Sequence, residues 1–259
     1  MENISLVGLS RQVALRRELD VIANNLANLN TTGFKGDAVV FEEFISPTAN
    51  DQTFQRGADR RLSFVWDRAT ATNLGQGPLE QTGNGLDVGI GGRGYFVVRT
   101  PEGERYTRNG SFEINAQGQL VTKQGYPVLG DTGPITFDQA DTGITITRDG
   151  TISVIGNNAT NQPAGLRGRL RLVEGNTPRA LEKAGDNLFQ LRAGAQVTNL
   201  TPANVDLRQG YIEKSNVTPV VEMSRMIEVT RAYTALSASI ERHDQLRRDA
   251  IRSLGNPAS

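Results

Sequence analysis

The sequence predicts an α+β protein, with long N- and C-terminal helices forming a coiled-coil-like bundle and a central, mostly antiparallel β domain between them. Three observations carry this. Near both ends, seam positions recur at alternating steps of four and three: Leu15, Leu19, Ile22, Leu26 and Leu29 at one end, and Met226, Val229, Tyr233, Leu236, Ile240 and His243 at the other. That is a period of about 3.5 residues, the seam of a coiled coil. Between the ends lie short runs rich in β-branched and aromatic residues, punctuated by Asn-Gly and Asp-Gly turns. Hydrophobic content is 37%, with 28 glycines and 6% aromatics, which suits short strands and many turns around a modest core.

The first element is an N-terminal assembly helix within residues 1–33. From Ile4 to Leu29 there is no proline and a single glycine, Gly8. Upstream of Leu15 the seam passes through Gln12, Gly8 and Ser5, where its apolar character breaks, while Leu6, Leu9 and Val13 form a separate short stripe. The helix is predicted to stop near Thr31-Thr32-Gly33, with Gly33 as a left-handed cap. Residues 34–84 read as an extended linker with little regular structure, because Thr, Gly, Asn, Asp and Gln crowd it; Leu62 to Trp66 is its one strand-like stretch.

The central β domain is placed at 85–200. Its predicted strands are Tyr95 to Val98, Ile144 to Thr147, Thr151 to Ile155 and Leu170 to Val173. Asn109-Gly110 and Asp149-Gly150 have the chemistry of two-residue hairpin turns, in which both residues need positive φ. They sit in a weak internal echo, Thr107-Arg108-Asn109-Gly110-Ser111-Phe112 against Thr147-Arg148-Asp149-Gly150-Thr151-Ile152, which predicts two similar hairpins. A return linker at 201–217 leads to the C-terminal assembly helix, 218–259. There Thr218 is the N-cap, Pro219 the first helical residue and Glu222 a favourable charge near the helix start. Ala250 and Leu254 resume the seam before Gly255 and Pro257 end it.

A helix from Pro219 to Leu254 spans roughly 54 Å, whereas a β domain of this size has a radius of gyration of about 14 Å. The helix must overhang such a body. The pattern alone leaves two readings open: bundling with copies of the same chain, or an intramolecular helix hairpin packed on the β domain.

Several functional classes are disfavoured. Lys plus Arg and Asp plus Glu number 28 each, so nothing in the net charge favours a nucleic acid partner. There is no cysteine, which removes disulfides and thiolate metal sites. No charged n-region precedes an apolar run near the start, so no cleaved signal is expected. No stretch approaches the ~18–20 apolar residues of a membrane span. Gly89, Gly91 and Gly94 have dinucleotide-turn spacing, but a strand follows where the chemistry needs a helix, so a plain turn is expected, with Gly91 at positive φ. His243 is the only histidine and falls on the helix seam, which leaves no base for a triad and too few ligands for zinc. Glu42 and Glu43 lie in a predicted loop with no apolar pocket to raise a pKa. No catalytic residue, cofactor or metal site is expected. Asn24, Asn25 and Asn28 are costly in a helix, which suggests lateral hydrogen bonds, for instance to a neighbouring subunit; a fraying helix end is the alternative.

Ala23-Asn24-Asn25-Leu26-Ala27-Asn28, followed by Asn30-Thr31-Thr32-Gly33-Phe34-Lys35, resembles the N-terminal signature of flagellar rod and hook proteins. Gly94-Tyr95-Phe96, Tyr106 to Phe112, Gly118 to Thr122 and Gly125 to Gly130 follow in that family's order. So do Gly210-Tyr211-Ile212-Glu213-Lys214-Ser215-Asn216-Val217 and Glu222-Met223 through Arg231-Ala232-Tyr233. Thr234 departs from the pattern, which commonly has an acid there. The opening Met1-Glu2-Asn3, Arg11-Gln12, Leu86-Asp87-Val88 and Gly168 to Val173 look most like proximal rod members; distal rod members are the alternative. The resemblance implies a structural subunit, not an enzyme, that assembles through its terminal helices with other copies of itself and with neighbouring proximal and distal rod proteins. It also implies export by the flagellar type III apparatus without a cleaved signal, no membrane insertion, a place in the rod across the periplasm, and torque transmission from motor to hook. The seam residues of both helices, with Asn24, Asn25 and Asn28, are then the expected assembly interface. A soluble dimeric module that binds a ligand through its β domain is the competing class.

Overall fold

The computed structural model describes residues 2–46, 62–139, 141–156, 163–177 and 180–255. They fall into two compact units, one made of Met1–Ala27, Asp37–Thr72 and Thr218–Ser259, the other of Asn28–Gly36 and Asn73–Val217.

The first unit holds helix α1 (Glu2–Ala27), strands β1 (Asp37–Ser46) and β2 (Leu62–Thr72), and helix α2 (Pro219–Gly255). Pro219 opens α2 as the sequence leads one to expect, since its missing N–H falls where no helical partner exists. The two helices run antiparallel: Gln12 Nε2 donates to the Tyr233 hydroxyl at 3.1 Å and to Ser237 Oγ at 3.3 Å, Gly8 faces Ile240, and Asn25 faces Glu222. A coiled-coil-like bundle does not form. Among the described residues there are two α-helices only, paired with each other, and the region between them is largely β. Among the described residues of α1 the buried ones are Ala14, Val21, Ile22 and Asn25, and of these only Ile22 is a position of the expected apolar seam. One of them is an alanine and one an asparagine, and the seam leucines Leu15, Leu19 and Leu26 are only half-buried. Gly8 and Gln12, which interrupt the apolar seam, are packing positions against α2: a Cβ on Gly8 would stand 3.3 Å from Ile240 Cδ1.

Residues 34–84, expected to carry little regular structure, contribute the long β1–β2 hairpin. Its antiparallel register runs from Asp37↔Thr72 to Ser46↔Leu62, with one bulge at Val40/Phe41. Val39-Val40-Phe41, Phe44-Ile45 and Leu62 to Trp66 are good strand formers; the polar segment joining them hides this in an averaged composition.

The second unit carries strands β3 (Leu79–Gln81), β4 (Val88–Ile90), β5 (Tyr95–Thr100), β6 (Gly103–Thr107), β7 (Phe112–Ile114), β8 (Leu120–Thr122), β9 (Leu129–Gly130) and β10 (Gly133–Pro134). It continues with β11 (Asp141–Ile146), β12 (Thr151–Gly156), β13 (Pro163–Arg169), β14 (Leu172–Gly175), β15 (Leu181–Gly185), β16 (Leu188–Leu191), β17 (Val197–Asn199), β18 (Leu207–Gln209) and β19 (Tyr211–Glu213). Six of these form one sheet in the order β15-β16-β6-β5-β14-β17, antiparallel throughout. Strand β5 is buried from Tyr95 to Val98 because both its faces are covered. Phe96 and Val98 join one apolar cluster with Val88, Phe112, Ile152 and Leu207, while Tyr95 and Val97 join a second with Tyr106, Val173 and Phe189. Edge-to-face ring pairs, Phe96–Phe112 at 5.1 Å and Tyr95–Phe189 at 5.4 Å, fix the two clusters.

The two expected hairpins differ. Asp149-Gly150 does join paired strands, β11 and β12, but through a longer loop in which only Gly150 takes positive φ, at 88°. The Thr147 and Thr151 hydroxyls donate to the Asp149 carboxylate and hold its pKa down at about 2. Asn109-Gly110 instead turns a corner, since β6 pairs in the six-stranded sheet and β7 pairs with β8. Its amide is used locally, Asn109 Oδ1 accepting from Ser111 N at 3.1 Å. Nor is 201–217 a bare linker: β18 pairs with β4 and β19 with β3.

Candidate functional site

The residues expected at an assembly interface have mixed environments. On α1, Ile22 and Asn25 are buried, Leu15, Leu19 and Leu26 are half-buried, and Asn24 is exposed. On α2, Val229 is buried, and Met226, Tyr233, Leu236, Ile240 and His243 are half-buried along one side. Asn28 and Leu29 lie beyond the end of α1 and belong to the second unit. Asn25 has a role within the chain. Its Oδ1 accepts from Asp37 N at 2.9 Å and its Nδ2 donates to Asp37 O at 2.8 Å, so both arms of the amide pair with one residue of β1. The apolar residues left exposed on these helices are different ones: Leu9 and Val13 on α1, and Val220, Val221, Met223, Ile227, Leu246 and Ile251 on α2.

Within the second unit, sequence reasoning missed a buried ion cluster. Lys35, Arg108 and Glu213 are 0%, 4% and 1% exposed. Lys35 Nζ donates to Glu213 Oε1 at 2.5 Å and to Gly75 O at 2.7 Å. Arg108 Nη1 donates to Glu213 Oε2 at 3.1 Å, and its Nη2 to Gly92 O at 2.8 Å. The same guanidinium lies over the Tyr95 ring, 5.0 Å from the centroid. Gly77 N completes the shell by donating to Glu213 Oε1 at 2.8 Å. One carboxylate thus faces two cations. Burial lowers the Lys35 pKa from its ordinary value, and this outweighs the opposing pull of Glu213.

The backbone around the cluster is shaped to admit it. Gly33 takes φ +70, and a Cβ there would stand 2.5 Å from the Arg108 carbonyl carbon; the position lies past the end of α1 at Ala27 and so is not its cap. Gly33 N donates to Glu213 O at 2.6 Å. Asn216 binds on both sides: its Oδ1 accepts from Gly36 N at 2.8 Å, and its Nδ2 donates to Asn73 O at 2.8 Å and Gly75 O at 2.9 Å. Both oxygens of the carboxylate are engaged by charged or backbone donors, which makes the cluster a tie rather than an acid–base pair. Among the described residues no group of three His, Cys, Asp or Glu could hold a metal ion, and no helix is long and apolar enough to cross a membrane.

The glycine cluster Gly89, Gly91 and Gly94 feeds β5, a strand. Gly91 is not at positive φ; Gly92 and Gly94 are, at 96° and 127°. A Cβ on Gly91 would meet the Asp206 carboxylate, which would have to swing aside.

Three family descriptions match stretches of the chain: "Flagella basal body rod protein" over 6–35, "Flagellar hook protein FlgE/F/G D1 domain" over 89–154, and "Flagellar basal body rod FlgEFG protein C-terminal" over 208–253. A flagellar basal-body rod protein FlgF of Caulobacter vibrioides is 41% identical over 260 residues, covering 98% of this chain and 99% of that protein. The chain belongs to the flagellar basal-body rod protein family. A FlgF of Mesorhizobium japonicum is 33% identical over 258 residues, with 99% of each chain covered. A FlgG of Buchnera aphidicola is 36% identical over 255 residues, covering 94% of this chain and 95% of that one. Each of the three matched stretches of this rod-family chain supplies one member of the ion cluster: Lys35, Arg108 and Glu213.

Proposed function

We propose that this chain is a structural subunit of the bacterial flagellar basal-body rod, FlgF-like and set in the proximal rod. It assembles through its terminal helices with copies of itself and with neighbouring rod proteins into the axial structure that transmits torque from motor to hook. It reaches its place across the periplasm through the flagellar type III export apparatus, without a cleaved signal. The observation that carries this reading is the 41% identity to a FlgF over nearly the whole of both chains. The helix pair supports it physically: Val220, Met223 and Ile227 fall at helical spacing on one exposed side of α2, with Leu9 and Val13 exposed on α1. Apolar helix faces left in water gain from lateral packing. The seam residues from Leu15 to Leu29 and from Met226 to His243, with Asn24, Asn25 and Asn28, border the surface that takes part. A distal, FlgG-like position is the second reading, favoured by the 36% identity to a FlgG.

Sedimentation of the purified chain over a range of concentrations tests the assembly. Monomer that grows into polymer is the expected result, and a closed dimer at all concentrations would point to a soluble binding module instead. A cell lacking this chain should be non-motile, and a FlgF supplied from a relative should restore it better than a FlgG.

A further inference from the structure

Residues 28–36 cross the second unit without entering any sheet, and what holds them comes largely from the far end of the chain. Gly33 N donates to Glu213 O, Lys35 Nζ to Glu213 Oε1, Gly36 N to Asn216 Oδ1, and Asn216 N donates back to Phe34 O at 3.3 Å. Further ties are Lys35 to Gly75 O, Asn73 N to Gly36 O, and Asn187 Nδ2 to Thr32 O at 2.6 Å. Phe34 is buried beneath Lys183 but belongs to neither apolar cluster. The segment is therefore docked by hydrogen bonds and charge, not by a share of the core.

The reverse dependence is weak. Apart from the bonds that Glu213 makes to the strap, residues 206–214 keep a set of contacts that owe nothing to 28–36. Leu207 sits in the main apolar cluster, β18 pairs with β4 and β19 with β3, Gly91 N donates to Asp206 O, and Lys214 N donates to Pro78 O.

From this asymmetry we infer that residues 28–36 form a strap whose docking is conditional on residues 213–216, so that an early segment of the chain closes onto the β unit only after the C-terminal strand is in place. A chain is made N-terminal end first, so Lys35 exists well before Glu213 and Asn216. Until they arrive it has no carboxylate to meet, and a buried ammonium without one is costly. The strap therefore stays open on an incomplete chain and closes as the last step of folding of this unit.

Trypsin reads this directly, because it cuts after lysine and Lys35 is fully buried in the closed strap. In the full-length protein, Asn216→Ala, and the pair Glu213→Gln with Asn216→Ala, should expose the bond after Lys35 and speed its cleavage about tenfold or more. Amide exchange at 33–36 should rise to match, while β5 stays protected. Gly33→Val, which cannot fit against the Arg108 backbone, should open the strap in the same way yet leave the amides of 211–214 as protected as in the wild type. If Gly33→Val also releases 211–214, the two segments support each other and the conditional order is wrong. If Lys35 stays resistant in both Asn216 variants, the C-terminal strand does not hold the strap. Loss of β5 protection in every variant would show that the strap does not open separately, and that too overturns the inference.

Discussion

Glu213 and Lys35 are partners in one buried ion pair, yet their removal should have very different consequences. In Glu213→Gln the shape is kept and the charge is lost. Lys35 and Arg108 then face each other as two buried cations, and the amide NH2 points a donor where Lys35, Gly77 N or Arg108 had an acceptor. Removing one partner of such a pair costs about 3–5 kcal/mol. For a unit of this size that is a fall of about 6–20 °C in its melting temperature. In Lys35→Met, Glu213 keeps Arg108 and Gly77 N, and Gly75 O keeps Asn216 Nδ2 at 2.9 Å, so no buried acceptor is stranded. One carboxylate then faces one cation, and a desolvated ammonium has been replaced by an apolar chain of similar length. That change should stay within about 1.5 kcal/mol of wild type, and replacements of this kind are sometimes stabilising. Scanning calorimetry of both variants beside wild type gives the comparison. If Lys35→Met falls as far as Glu213→Gln, the excess positive charge is not a burden, and the electrostatic account of the cluster fails.

The lowered Lys35 pKa also sets a pH dependence. The unfolded lysine holds its proton up to its ordinary value of 10.5, while the folded one releases it earlier. In the window between the two, the unfolded state binds more protons and this group's contribution to stability rises with pH; urea titrations at several alkaline pH values should show wild type gaining on Lys35→Met as pH rises. Asn25→Ala removes two hydrogen bonds to the Asp37 backbone and should cost about 1–3 kcal/mol, seen as faster exchange of the β1 amides with the second unit unchanged. Gly110→Ala should cost about 1–3 kcal/mol or fail to fold, because a Cβ there overlaps Val88 O; Gly83→Ala, at φ +76 with nothing within 4 Å, should cost about 1 kcal/mol, and thermal melts of the two compare crowding with backbone strain.

Some of this was legible from residue order alone. Tyr95-Phe96-Val97-Val98 is apolar without a break, which suits a strand covered on both faces, and Thr218-Pro219 marks where α2 begins. Asn109-Gly110 and Asp149-Gly150 have the same turn chemistry but different fates. A two-residue signal cannot say whether the strands beside it pair with each other or with strands far along the chain. The helix seams were visible, but which residues bury on α1 is set by α2 and the hairpin, which no local window contains. The ion cluster was least accessible. Lysine, arginine and glutamate read as surface residues by default, and 178 positions separate Lys35 from Glu213. The available signal was that each stands in a separate motif shared with the rod family.

The amide of Asn216 reaches the carbonyl of Asn73 across 143 positions of sequence. The excursion that makes nearly all of the β unit thus leaves from and returns to one point, like a bead tied into a loop of thread. Residues 28–36 stand outside that excursion yet depend on it, since Gly75, Asn187, Glu213 and Asn216 all hold them, so the bead cannot be exchanged whole without undoing the strap. For design, the meeting of 73 and 216 sets the two ends of the body side by side, and a foreign domain put in its place would also have to bring partners for Lys35 and the Gly36 amide.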